Sequence, residues 1–151
     1  MNISRRKVLA LGAGLGAVVL TGFKANIAFA DEAKTQAAID AFANGATVES
    51  GKITLTAPEI AENGNTVPIS IEVESPMTAD DYVQSVMILA EGNPNPGVAT
   101  LHFTPMSGVA AATTRMRLAK TQNVIAIAKM SDGSVVMDKK LVKVTIGGCG
   151  G

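Results

Sequence analysis

The most reactive side chain in this chain of 151 residues is a single thiol. Cys149 is the only cysteine, third from the C-terminus, with Gly147 and Gly148 before it and Gly150 and Gly151 after it. Glycine has no Cβ and the widest backbone freedom of any residue, so the sulfur sits on a strip of nearly bare backbone. A lone cysteine cannot close an internal disulfide. No basic or acidic neighbour in sequence tunes the thiol, and at an ordinary pKa of about 8.5 only a few per cent is thiolate near neutral pH. A self-sufficient thiol enzyme needs the opposite, an orienting base in an electropositive pocket. The strip is instead suited to insertion, as a thin peptide that carries one soft nucleophile into a narrow channel of another protein. Extended residues span about 3.3–3.6 Å each, so Cys149 reaches on the order of 10 Å beyond a strand ending at Ile146. Three readings stay open at this point: a covalent handle, an exposed cysteine that only joins two chains through an intermolecular disulfide, or a frayed glycine tail with an incidental cysteine.

Other chemistries fail by counting. His102 is the only histidine, and no Gly-x-Ser-x-Gly elbow accompanies it, so a Ser/His/Asp hydrolase is not expected. One histidine and one cysteine do not make a Cys/His zinc cluster, nor the two-histidine, one-thiolate set of a blue-copper centre. Met77, Met87, Met106, Met116, Met130 and Met137 are scattered along strand patterns and read as core or surface filling. Phosphate loops, dinucleotide fingerprints and haem-attachment motifs do not occur. Asp80-Asp81 and the alternating Glu72 and Glu74 read as solvated carboxylates. The expectation is therefore no catalytic residue, no metal and no bound cofactor. Thirteen basic residues balance thirteen acidic ones, which gives no electrostatic case for a nucleic-acid partner.

The charge is unevenly placed. Arg5, Arg6, Lys7 and Lys24 precede residue 31, and no acidic residue does. An apolar run over 8–20, loosened by Gly12, Gly14 and Gly16, leads to Ala28-Phe29-Ala30, a small-x-small exit. Basic start, apolar middle and small exit describe an export signal over residues 1–30, removed on processing. The run is too short and too glycine-rich for a membrane span of about 20 apolar residues, so no membrane association is expected after processing. The adjacent arginines resemble a twin-arginine signal, with Val8 and Ala10 departing from the usual pattern. That route delivers folded cargo to the periplasm. Cleavage after Ala30 leaves 121 residues with nine basic and thirteen acidic, a formal charge of −4.

The elements that must carry the thiol follow from periodicity. Residues 31–43 are alanine-rich and end at Asn44-Gly45, which predicts a short peripheral helix with Ala38, Ile39 and Phe42 on its apolar side. After Gly51 the period becomes two. Strands are predicted over 52–56, 66–74, 82–90, 98–104, 113–118, 124–130 and 135–146, the last interrupted near Asp138. Pro68 has no backbone donor, which predicts an edge strand or a bulge. Residues 124–128 are apolar on both faces and should be central. Turn residues at Asn63-Gly64, at 93–97 and at Asp132-Gly133 separate the runs. Short strands with frequent turns predict an all-β, two-sheet antiparallel β-sandwich over residues 31–146, followed by a flexible glycine-rich arm over 147–151.

With those residues in hand, the chain resembles the SoxY family, the sulfur-carrier subunit of the periplasmic thiosulfate-oxidising multienzyme system. The tail Gly147-Gly148-Cys149-Gly150-Gly151 matches that family's terminal signature, and the segments 57–64, 67–69, 93–96 and 132–133 resemble its pattern upstream. The resemblance implies an immunoglobulin-like sandwich that pairs with SoxZ as a heterodimer, with substrate attached covalently to Cys149. It further implies loading by a SoxAX-type haem enzyme and release of sulfate by a SoxB-type manganese hydrolase. In complete systems a sulfane dehydrogenase oxidises the remaining sulfur. The chain itself would be a non-catalytic carrier. The rival is an exported structural or interaction module held as a Cys149-linked dimer.

Overall fold

The computed structural model describes residues 27–145. Most of the predicted export signal, Ile146 and the whole 147–151 arm lie outside the described residues. Helix α1 runs over Ile27–Ala43, four residues further toward the N-terminus than predicted. Ile27-Ala28-Phe29-Ala30 contains neither glycine nor proline, so nothing in its local propensity stops the helix at residue 31. It ends where predicted: Asn44 and Gly45 both take positive φ, of 50° and 85°. No described helix is long and apolar enough to cross a membrane.

Nine strands follow among the described residues. They are β1 (Val48–Ser50), β2 (Ile53–Thr56), β3 (Ile60–Ala61), β4 (Val67–Val73), β5 (Val83–Ala90), β6 (Gly97–His102), β7 (Ala110–Met116), β8 (Gln122–Met130) and β9 (Val135–Val144), with a 3-10 turn at Pro105–Ser107. The larger sheet has the order β1-β9-β8-β5-β6, with β3 also on β9; the smaller has the order β2-β4-β7. Most ladders are antiparallel, as expected, but β1 and β3 both run parallel to β9. They share one edge of it, β1 beside Val135–Met137 and β3 beside Lys143 and Val144.

The two sheets close on a core that includes Leu55, Val67, Ile69 and Ile71 from one side and Val86, Ile88, Val124 and Val142 from the other. Each such side chain contributes about 1.5–3 kcal/mol on full burial. β8 is central, as its apolar run predicted. Val124, Ala126 and Ala128 face the inter-sheet core, while Ile125 and Ile127 face the second core under Ile39 and Ala43 of α1. The molecule is thus a β-sandwich with one helix laid on the outer face of its larger sheet.

Two local expectations need correction. Pro68 lies in β4, the middle strand of its sheet, and no bulge interrupts its pairing with Arg115. It is tolerated because β2 stops short: the β2 ladder ends at Thr56 opposite Ser70, which leaves the 67–69 half of β4 open on that side. The strand near Asp138 is also unbroken. The Asp138 carboxylate accepts the Leu55 N–H at 2.9 Å, so the charged residue bridges β9 to β2 of the other sheet.

Candidate functional site: the root of the C-terminal arm

Cys149 and its four glycines lie outside the described residues, so the site is built from the structure that launches them. β9 alternates as predicted over its last described residues. Val142 is fully buried, Val144 is half-buried against the core, and Leu141, Lys143 and Thr145 are exposed. The expected third inward residue, Ile146, lies outside the described residues.

Backbone and hydroxyl contacts grip the last residues of β9 from two sides. Along β3, Lys143 N–H donates to the Glu59 carbonyl at 2.9 Å and Thr145 N–H donates to the Ala61 carbonyl at 3.1 Å. On the other side, Val144 N–H donates to Thr121 Oγ1 at 3.0 Å. Three turns meet there. Leu118 N–H donates to the Gly64 carbonyl at 2.7 Å. A Cβ on Gly64 would stand 2.5 Å from the Leu118 carbonyl oxygen and 2.9 Å from Val144 Cγ1, so glycine is needed for this close approach. Asn93 joins the neighbouring turns, its amide nitrogen donating to the Arg117 carbonyl and its oxygen accepting from Ala119 N–H. Thr145, the last described residue, therefore lies at a braced end of the sandwich. The predicted turn residues at 63–64 and 93–97 both belong to that brace; Thr121 and β3 were not anticipated. No local signal marks a two-residue strand, and only the register with β9 reveals it.

The other residues weighed for chemistry lie apart. His102 is exposed at the end of β6, opposite Ser85. Glu72, Glu74, Asp80 and Asp81 are exposed as predicted. Met77, Met116 and Met130 are buried in the core, whereas Met106 is 96% exposed. No three His, Cys, Asp or Glu side chains gather into a metal-binding group among the described residues. Asp132, in the β8–β9 turn, is held below the ordinary value of 3.8 by the hydrogen bond from Ser134 Oγ, helped by the Ser134 N–H and by Lys52.

A search of curated proteins returns no match. Among solved structures, superoxide reductase (neelaredoxin) from Ignicoccus hospitalis matches with a TM-score of 0.57 at 21% identity, over 64% of this chain and 82% of that one. Superoxide reductase from Nanoarchaeum equitans matches with a TM-score of 0.50 at 16% identity, over 63% and 99%. At those identities the likeness concerns the fold alone. The sulfur carrier protein SoxY from Chlorobium limicola f thiosulfatophilum matches with a TM-score of 0.64 at 32% identity, over 76% of this chain and 98% of that one. The sequence pattern of the sulfur oxidation protein SoxY fits residues 38–149, from within α1 to the cysteine itself. On that match and the shared sandwich, the chain belongs to the SoxY family of sulfur oxidation proteins.

Proposed function

We propose that this protein is a non-catalytic carrier that holds sulfur intermediates of thiosulfate oxidation on Cys149 and presents them to partner enzymes. The observation that carries the reading is the combination of a braced strand end at Thr145 with a SoxY-family match that runs to Cys149. Four residue steps separate Thr145 from Cys149, a contour of at most about 13–14 Å. Gly147, Gly148, Gly150 and Gly151 keep that reach slender. A fixed root with a thin arm lets one sulfur visit differently shaped sites while the sandwich stays intact.

Loading joins the Cys149 sulfur to the outer sulfur of thiosulfate. The thiol and thiosulfate together lose one proton and two electrons, which pass to a SoxAX-type haem enzyme, and a cysteine S-thiosulfonate remains. Hydrolysis by a SoxB-type enzyme adds water across the sulfur–sulfonate bond, which frees sulfate and leaves a persulfide on the arm. A sulfane dehydrogenase, where present, oxidises that sulfur further. The sandwich pairs with SoxZ in this scheme. Residues 1–30 direct export to the periplasm through the twin-arginine route.

The test is thiosulfate oxidation in a system reconstituted from the separate components. Cys149→Ser should abolish turnover. Gly148→Val should slow it strongly without unfolding the sandwich, because a β-branched side chain thickens the arm and narrows its backbone freedom. Turnover that survives Cys149→Ser would sink the carrier reading. The rival, a disulfide-joined interaction module, predicts a reducible dimer indifferent to Gly148→Val.

A further inference from the structure

An open groove of about 440 Å³ lies beside the arm's root, with Pro58, Ile60, Ala61, Glu62, Val67 and Pro68 in its walls. Its position follows from the topology. After Thr56 the chain leaves the smaller sheet and crosses to the larger one as β3, so among the described residues the outer edge of β3 is unpaired and the 67–69 half of β4, paired with β7 on one side, is open on the other. The groove lies at that corner. Its walls are largely apolar, and Ile60 is 56% exposed, one of four large hydrophobic side chains left exposed among the described residues.

We propose that this groove is the resting dock of the chain's own residues 146–151 while Cys149 carries no cargo, an inference that rests on the carrier reading for what cargo means. Chain geometry supplies the occupant. Thr145, the last described residue, donates its N–H to the carbonyl of Ala61, which is itself a wall residue. The tail thus begins at the groove's margin, and its contour of about 13–14 Å to Cys149 is enough to fold back across β3. Four glycines leave almost no side-chain bulk to fit, so Ile146 and the sulfur are the groups that gain from apolar walls. A neutral thiol loses little on entering such a groove. An anionic sulfonate adduct would lose hydration there and stays in water. Loading therefore favours the free arm, so the loaded carrier is the one most available to its next enzyme.

The full chain tests this with a neutral maleimide and with two near-isosteric caps on Cys149. Ile60→Arg places a charged chain in the groove. Pro68→Lys, also at an exposed position, blocks it from the other wall should Ile60→Arg fold poorly. Either block should raise the Cys149 alkylation rate about threefold to tenfold, because reaction with the free arm is slowed in proportion to the docked population. Amide signals of Ala61, Glu62 and Val67 should keep their positions when Cys149 is capped with iodoacetamide and should move when it is capped with iodoacetate. Unchanged alkylation in both blocked chains would overturn the dock, as would identical spectra for the two caps. Groove signals that shift with protein concentration would also overturn it, by assigning the groove to a second copy. Failure here would leave Cys149-dependent turnover intact, whereas failure of the carrier reading would abolish that dependence.

Discussion

Gly64→Ala tests the brace at the end of β9, and its cost follows from the neighbours of Gly64. The added Cβ would fall 2.5 Å from the Leu118 carbonyl oxygen and 2.9 Å from Val144 Cγ1. The first neighbour is backbone, and a 2.7 Å hydrogen bond from Leu118 N–H to the Gly64 carbonyl holds the two segments together. Neither side can withdraw without disturbing that bond, so the overpacking penalty should fall in the usual range of about 1–3 kcal/mol. With a urea m-value of about 2 kcal/mol/M, the unfolding midpoint should fall by about 1 M. Val144→Ala removes the softer of the two clashes and leaves the backbone one. Adding it to Gly64→Ala should therefore restore only part of the loss, measured against Val144→Ala alone. Equilibrium urea unfolding followed by circular dichroism reads all four chains. A midpoint for Gly64→Ala within about 0.2 M of the parent would refute the claim that this glycine permits a required close approach.

Three further outcomes follow from the structure. Ile127→Ala empties a fully buried position between β8 and α1 and should cost about 2–5 kcal/mol, read as a lowered urea midpoint. Thr121→Val removes the acceptor of Val144 N–H and should cost about 0.5–1.5 kcal/mol, with faster hydrogen exchange at Val144 than at Val136. Asp132 should titrate below 3.8 by NMR, and Ser134→Ala should move it back up. Since folding favours the ionised form, the stability from this carboxylate is complete above the unfolded value. It is lost as pH falls through the lowered folded one.

Much of the sandwich was legible because its strands declare themselves locally. Val67, Ile69, Ile71 and Val73 alternate inward, and the inward positions of β4 are buried. The doubly apolar run 124–128 could only be satisfied between two cores, and β8 lies between them. What escaped depends on distant partners. β1 and β3 have three and two residues and exist through parallel pairing with β9, far along the chain. Pro68 and Asp138 misled for a related reason. Their local chemistry signals an edge and a break, yet the length of β2 and its Leu55 N–H decide how they are accommodated. The thiol was legible from composition alone, since a single cysteine among four glycines stands out before any fold is known. Its brace was not, because Thr121 and Ala61 meet β9 only in three dimensions.

The most direct measurement of the central claim is the intact mass of the protein recovered from cells supplied with thiosulfate, before and after reduction. A carrier shows added sulfur and sulfonate mass that maps to Cys149, disappears with reductant and is missing in Cys149→Ser. A spectrum holding only the bare chain and its disulfide dimer, in cells that are actively oxidising thiosulfate, would contradict it.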